Sequence, residues 1–238
     1  MLNAVNITKR FGALKAVDNL SFEVQKGQIY GIAGPNGAGK STIYNIITGF
    51  YPFEGHVEFC GRAIKGLRPH KIARLGIART FQIPQVFESL TVEKSVSIGS
   101  RFGDTGPFDP AYVDHVISFL DLGSQRTRNT AELNLLGKKK LMIGAALATK
   151  PKMLMLDEPM AGLNALEIKA MMDLIRKINS DLEITIVIIE HFMKVLTDLT
   201  ETLLIIETGR LICCDAPEIA ANNPQVIECY LGDAYVEC

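Results

Sequence analysis

Nine residues constrain this chain more than any other stretch. Gly34-Pro35-Asn36-Gly37-Ala38-Gly39-Lys40-Ser41-Thr42 fits G-x-x-x-x-G-K-[ST] without a mismatch. Ahead of it, Gln28–Ala33 is short and apolar, as a buried strand is. Behind it, Thr42–Ile47 carries apolar residues at helical spacing. Strand, glycine loop and helix in that order make a phosphate cradle. The glycines let successive backbone N–H groups turn toward an anion, and the helix start adds its positive end. In such a cradle Lys40 reaches the outer phosphates and the Ser41 hydroxyl takes Mg²⁺. The expectation is a nucleoside triphosphate site.

The remainder of the chain is long enough to build a core around that loop. Its 238 residues suit one α/β domain, or a core with one inserted lobe. A 47% apolar, 21% charged composition is that of a globular protein. The net charge of −1 gives no electrostatic reason to expect nucleic acid. No apolar run is long enough to span a bilayer, and Met1–Arg10 lacks the apolar core of a secretory leader. The five cysteines, Cys60, Cys213, Cys214, Cys229 and Cys238, have no metal-ligand spacing and read as reduced thiols. The expected compartment is therefore the cytoplasm.

Alternation over Leu2–Ile7 and Val17–Val24 predicts an antiparallel ribbon. Phe11, on the turn between them, is either a core cap or an aromatic plate for a nucleobase. A short strand over His56–Gly61, a basic helix over Pro69–Leu75 and a strand over Ile77–Phe81 lead to Gln82. Thr91 is an expected N-cap. Residues 101–110, with two glycines, two prolines and two aspartates, predict a loop before a helix over Ala111–Leu120. Residues 83–137 then read as a mostly helical lobe inserted into a core made of 1–82 and 138–238. The core resumes with a helix over Lys138–Ala148, a strand over Met153–Leu156 and a helix from Ala165 capped by Asn164 and Glu167. The β-branched run Ile184–Ile189, a hairpin about Thr208-Gly209 and two helices starting near Pro217 and Pro224 complete it.

Two strand ends carry candidate chemistry. Met153–Leu156 ends in Asp157-Glu158, adjacent carboxylates that point in different directions. One can hold Mg²⁺ while the other orients the attacking water. Ile184–Ile189 ends in Glu190-His191, and a neutral imidazole there can donate one hydrogen bond to a γ-phosphate while accepting another.

From Met1 to about Gly232 these residues together resemble the ATP-binding cassette (ABC) transporter ATPases. Gly34–Thr42 match the Walker A loop, Gln82 the glutamine loop, Asp157 and Glu158 the Walker B aspartate and general base, and His191 the switch histidine. Phe11 matches the aromatic that stacks on adenine. Gly76–Gln82, Asp157–Asn164, Glu190-His191 with Met193, and Tyr230-Leu231-Gly232 are similar to the ATPases of branched-chain amino-acid importers, a pattern shared with urea and amide importers. The resemblance implies an L-shaped α/β fold. It has a P-loop NTPase core with a mostly parallel sheet, an N-terminal antiparallel β subdomain and an inserted helical lobe. It also implies ATP and Mg²⁺ as cofactors, with Ser41, Gln82 and Asp157 around the metal and Glu158 and His191 as catalytic residues. Two such subunits sandwich two ATP molecules beneath integral-membrane permease subunits, at the inner face of the cell membrane. Val86, Phe87 and Leu90 are either permease contacts or core.

The chain departs from that family where the signature loop Leu-Ser-Gly-Gly-Gln is expected. Leu133-Asn134-Leu135-Leu136-Gly137 stands there, leaving Asn134 and Gly137 as the candidate donors to a partner's nucleotide. Leucines cannot take φ > 0 without strain, so a shifted loop is expected. Lys138-Lys139-Lys140 follows in an expected first helical turn, either as a solvated basic face or as lysines recruiting phosphate. Asn164 replaces the usual D-loop aspartate, and Phe192 the usual aspartate after the histidine. A weak opposite site predicts a heterodimer with a second ABC ATPase rather than a homodimer. The competing expectations are a non-transport ABC ATPase and a regulatory subunit that binds ATP with little turnover.

Overall fold

The computed structural model describes residues 1–103 and 108–234, with side chains described through residue 230. The chain opens with β1 (Leu2–Phe11), β2 (Leu14–Val24) and β3 (Ile29–Ala33), followed by α1 (Lys40–Ile47). Next come β4 (Glu54–Phe59), β5 (Arg62–Ala63), α2 (Pro69–Leu75) and β6 (Ile77–Arg79). Three helices follow, α3 (Val92–Phe102), α4 (Pro110–Phe119) and α5 (Leu135–Leu147). Then come β7 (Met153–Asp157), α6 (Ala165–Leu182), β8 (Thr185–Ile189) and α7 (Met193–Leu199). The last elements are β9 (Thr202–Glu207), β10 (Arg210–Asp215), α8 (Pro217–Ala221) and α9 (Pro224–Ala234). These group into two compact units, Met1–Ile72 with the chain from Thr185 onward, and Ala73–Ile184.

The first unit contains the expected ribbon. β1 pairs antiparallel with β2, Leu2 opposite Val24 and Ala4 opposite Phe22, and on its other edge with β4. Alternation puts Leu2, Ala4, Leu20, Phe22 and Val24 inside. β3 lies parallel to both β8 and β9, and β10 returns antiparallel beside β9. Every residue of β3 and β8 is buried, which is why their sequences run apolar rather than alternating. Thr208 and Gly209 both have positive φ, as a two-residue hairpin turn requires. α1 buries Ile43, Tyr44, Ile46 and Ile47, and the Tyr44 hydroxyl donates to the Val187 carbonyl of β8 at 2.7 Å.

In the second unit β6 and β7 run parallel, Ile77 opposite Met153 and Arg79 opposite Met155. Its helices begin where side-chain caps satisfy their first N–H groups. Thr91 Oγ1 accepts from Lys94 N, and Asp109 Oδ1 accepts from Tyr112 N. Asn164 and Glu167 form the full reciprocal capping box of α6. Val113, Val116, Ile117 and Leu120 are buried along the expected face.

Four expectations need revision or restriction. α3 continues through Arg101 and Phe102, into the segment expected as loop, and residues 104–107 of that segment lie outside the described residues. α5 begins at Leu135 rather than Lys138, because Asn134 caps it through Gly137 N at 2.8 Å. Leu135 and Leu136 are therefore helical and take no positive φ, so the loop differs from a glycine loop as two leucines require. The lysines fall in the second turn, and Lys139 is only 2% exposed, so it is not part of a solvated face. Instead Lys139 Nζ donates to the Glu158 carbonyl and Lys140 Nζ to the Leu120 carbonyl. Cys60, Cys213, Cys214 and Cys229 are free thiols, and Cys238 lies outside the described residues.

Candidate functional site

The phosphate loop lies between β3 and α1 in the first unit. Gly34 has φ +149° and Gly39 φ +105°, and a Cβ on either would run into a backbone carbonyl, Ile206 for Gly34 and Ala16 for Gly39. Only glycine fits there. The loop is closed on itself by Ala38 N to Pro35 O at 3.1 Å and braced by Gly209 N to Ala38 O at 2.9 Å. Asp18 N in turn donates to Gly209 O, so the β9–β10 hairpin buttresses the loop. Lys40 is 6% exposed, and its ammonium donates to the carbonyls of Gly34 at 2.6 Å and Pro35 at 2.9 Å. Asn36, Gly37 and Ser41 are exposed, Pro35, Gly39 and Thr42 half-buried and Ala38 buried.

Phe11 closes β1 and is 43% exposed, so it is not a core cap. Tyr51 meets its ring edge-on, centroids 5.2 Å apart, and Lys9 Nζ lies 4.8 Å from the Phe11 centroid. His191 follows β8 and is half-buried, its backbone N–H donating to the carboxylate of the buried Glu190 at 3.2 Å. Phe192 stands at the N-cap of α7 and supplies no side-chain cap.

The carboxylates belong to the second unit. Asp157 ends β7, its carboxylate 3.2 Å from the Arg79 guanidinium and its N–H donating to Thr80 Oγ1. Glu158 has φ +46°, and its Oε2 accepts from Gln82 Nε2 at 2.7 Å. The Gln82 amide oxygen, the atom a cation takes, is thus not the one spent on Glu158. Asn134 is exposed, with its amide oxygen on Gly137 N; that N–H is thereby committed within the cap. Ser41, Gln82 and Asp157 offer oxygen donors, which suit a hard divalent cation such as Mg²⁺. Among the described residues no group of three or more His, Cys, Asp or Glu comes together to hold a metal.

A phosphate loop beginning a helix beside a parallel sheet, with an acidic pair ending another strand, defines a nucleotide-hydrolysing P-loop protein. The ABC transporter family model matches residues 17–161, and the chain belongs to that family as one of its ATPase subunits. It is 36% identical to the high-affinity branched-chain amino acid transport ATP-binding protein BraF of Pseudomonas aeruginosa, over 98% of both chains. It is 34% identical to LivG of Escherichia coli, with the same coverage. Among solved structures it is similar to MJ1267, an ATP-binding cassette of an ABC transporter, in its ADP conformation. That likeness has a TM-score of 0.88 and 32% identity over 98% of each chain.

Several residues at these sites gave no warning in the sequence. Tyr51, Arg79 and Thr80 act through partners far away in the chain, which local spacing does not reveal.

Proposed function

We propose that this chain binds and hydrolyses ATP to power an importer of branched-chain amino acids or a related small polar solute. The observation that carries this reading is full-length similarity to BraF and LivG in a chain that keeps every oxygen and nitrogen donor expected of the hydrolytic half-site. Phe11 stacks on adenine, and the backbone amides of Gly34–Thr42 with Lys40 hold the phosphates. Glu158 orients a water, whose oxygen bonds to the γ-phosphorus as its proton passes to the carboxylate. The bond from the γ-phosphorus to the β–γ bridging oxygen breaks, and ADP leaves with the electron pair. His191 donates to the γ-phosphate and registers its loss. Mg²⁺, when held by Ser41, Asp157 and Gln82, neutralises charge on the β- and γ-phosphates.

The segment 83–137 serves as the lobe that meets integral-membrane permease subunits. Ile83 and Phe87, 71% and 62% exposed, support that contact. No helix of the described residues is long and apolar enough to cross a membrane, so attachment to the inner face runs through those permeases. The opposing ATPase is a different chain. Gly137 has spent its N–H on the α5 cap, and bulky leucines replace the two expected glycines, leaving Asn134 Nδ2 and the helix-start amides as the donors. The partner's ATP therefore meets a bulkier and altered loop here.

Single-turnover hydrolysis tests the assignment. Glu158→Gln is expected to bind ATP like wild type and to lose about a hundredfold or more in rate. Wild-type speed in that variant would refute the base role. Brisk, cooperative turnover by the isolated chain would refute the heterodimer.

A further inference from the structure

We infer that Lys139 is a positioning residue for Glu158, fixing the backbone from which the base projects and tying it to the opening turns of α5. The inference rests on the reading of Glu158 as general base. Lys139 lies in the second turn of α5 and is 2% exposed. Its ammonium donates to the Glu158 carbonyl at 3.0 Å, across 19 residues of chain. A buried ammonium is costly unless it is well hydrogen-bonded, so this contact is specific rather than incidental.

What it holds is a residue in an unusual conformation. Glu158 has φ +46°, a left-handed conformation that is unfavourable for a non-glycine residue. The same carbonyl also accepts from Ala161 N at 3.2 Å, opening the turn toward Gly162. At the other end of the side chain, Gln82 Nε2 holds Oε2. The carboxylate is thereby set from both ends, by Gln82 at its tip and by Lys139 at its root. If the ammonium is removed, the peptide can relax toward an ordinary φ, which swings the Cα–Cβ bond and moves the carboxylate.

A second contact engages the other end of the same turn. A Cβ on Gly162 would lie 2.9 Å from Leu135 Cδ2, so the leucine standing where a signature glycine is expected packs over Gly162. The first two turns of α5 thus touch residues 158 and 162 together. A shift at the start of α5 is transmitted to the base of the same chain.

The test uses the full-length chain in single-turnover hydrolysis, with binding of a fluorescent ATP analogue measured alongside. Lys139→Met keeps the apolar stem and removes the donor. Its rate is expected to fall about ten- to a hundredfold, the scale of an ångström's misplacement, with affinity for the analogue unchanged. Lys139→Arg is expected to keep most of the rate, and Lys139→Gln, a shorter neutral donor, to fall between. In a Glu158→Gln background Lys139→Met should change the residual rate no further, because its effect passes through that carboxylate.

An additive loss in that background, or a parallel loss of analogue binding, would overturn the inference. So would a wild-type rate in Lys139→Met. Should the methionine variant fail to fold, the order of arginine above glutamine decides. Glu158→Gln hydrolysing as fast as wild type would remove the base assignment and this inference together. A dead Glu158→Gln beside a fully active Lys139→Met would remove the inference alone.

Discussion

Arg79→Met is the sharpest probe of what holds the acidic pair in place. The Arg79 and Asp157 side chains are 9% and 8% exposed, with nitrogen and oxygen 3.2 Å apart. At that distance, and an effective dielectric of about 20, their attraction is about 5 kcal/mol, most of it offset by the cost of desolvating both ions. Removing one partner strands the other. Asp157 would keep its desolvation cost without the cation, and breaking a buried pair this way typically costs about 3–5 kcal/mol. For a chain of this length each kcal/mol moves the melting temperature by about 2–4 °C, so a fall of about 6–20 °C is expected. Methionine preserves the apolar stem, which keeps packing loss small. Urea unfolding followed by circular dichroism measures the effect, with Arg79→Met/Asp157→Leu as control. Removing both charges should restore stability to within about 1 kcal/mol of wild type. If the single variant unfolds within about 1 kcal/mol of wild type, or the double is no better than the single, the pair does not hold β7 and β6 as described.

Phe192→Asp supplies α7 with the side-chain acceptor that its N-cap lacks, and is expected to stabilise the protein by about 0.5–1 kcal/mol, read as a small rise in melting temperature. The Asp18 carboxyl is held below the ordinary aspartate range by hydrogen bonds from Lys15 and then Arg210. A depressed carboxylate contributes stability above its unfolded pKa and loses it as pH falls through the folded value. The urea midpoint should therefore hold from neutral pH down to about pH 5 and decline below about pH 4, and Asp18→Asn should remove part of that acid loss.

Much of the architecture could be read locally. The strands at Leu2–Phe11 and Leu14–Val24 announced themselves by alternation, and β8 by its unbroken β-branched run. The α6 cap was visible as Asn164 with Glu167 three residues on. The start of α5 is harder to place locally, because an asparagine side chain caps its leucine-led first turn where a glycine loop is expected. Lys139 is hidden from local reading for a different reason. A lysine's charge suggests solvent, and only the fold brings the Glu158 carbonyl within reach of its stem. Arg79 and Asp157 are 78 residues apart, and Gln82 and Glu158 are 76 apart. No short-range period encodes such pairs.

The hydrogen bond from Tyr44 to Val187 has a mechanical consequence for the phosphate loop. Tyr44 lies one helical turn beyond Lys40, and Val187 lies four residues before His191 on the strand that carries it. The lysine proposed to hold the phosphates and the histidine proposed to meet their far end are therefore mounted on elements tied by that bond. Such a frame resists shortening along that bond. On the proposed roles it would act as a fixed gauge, against which a diphosphate is one unit too short, and the difference between ATP and ADP would become a gap at His191.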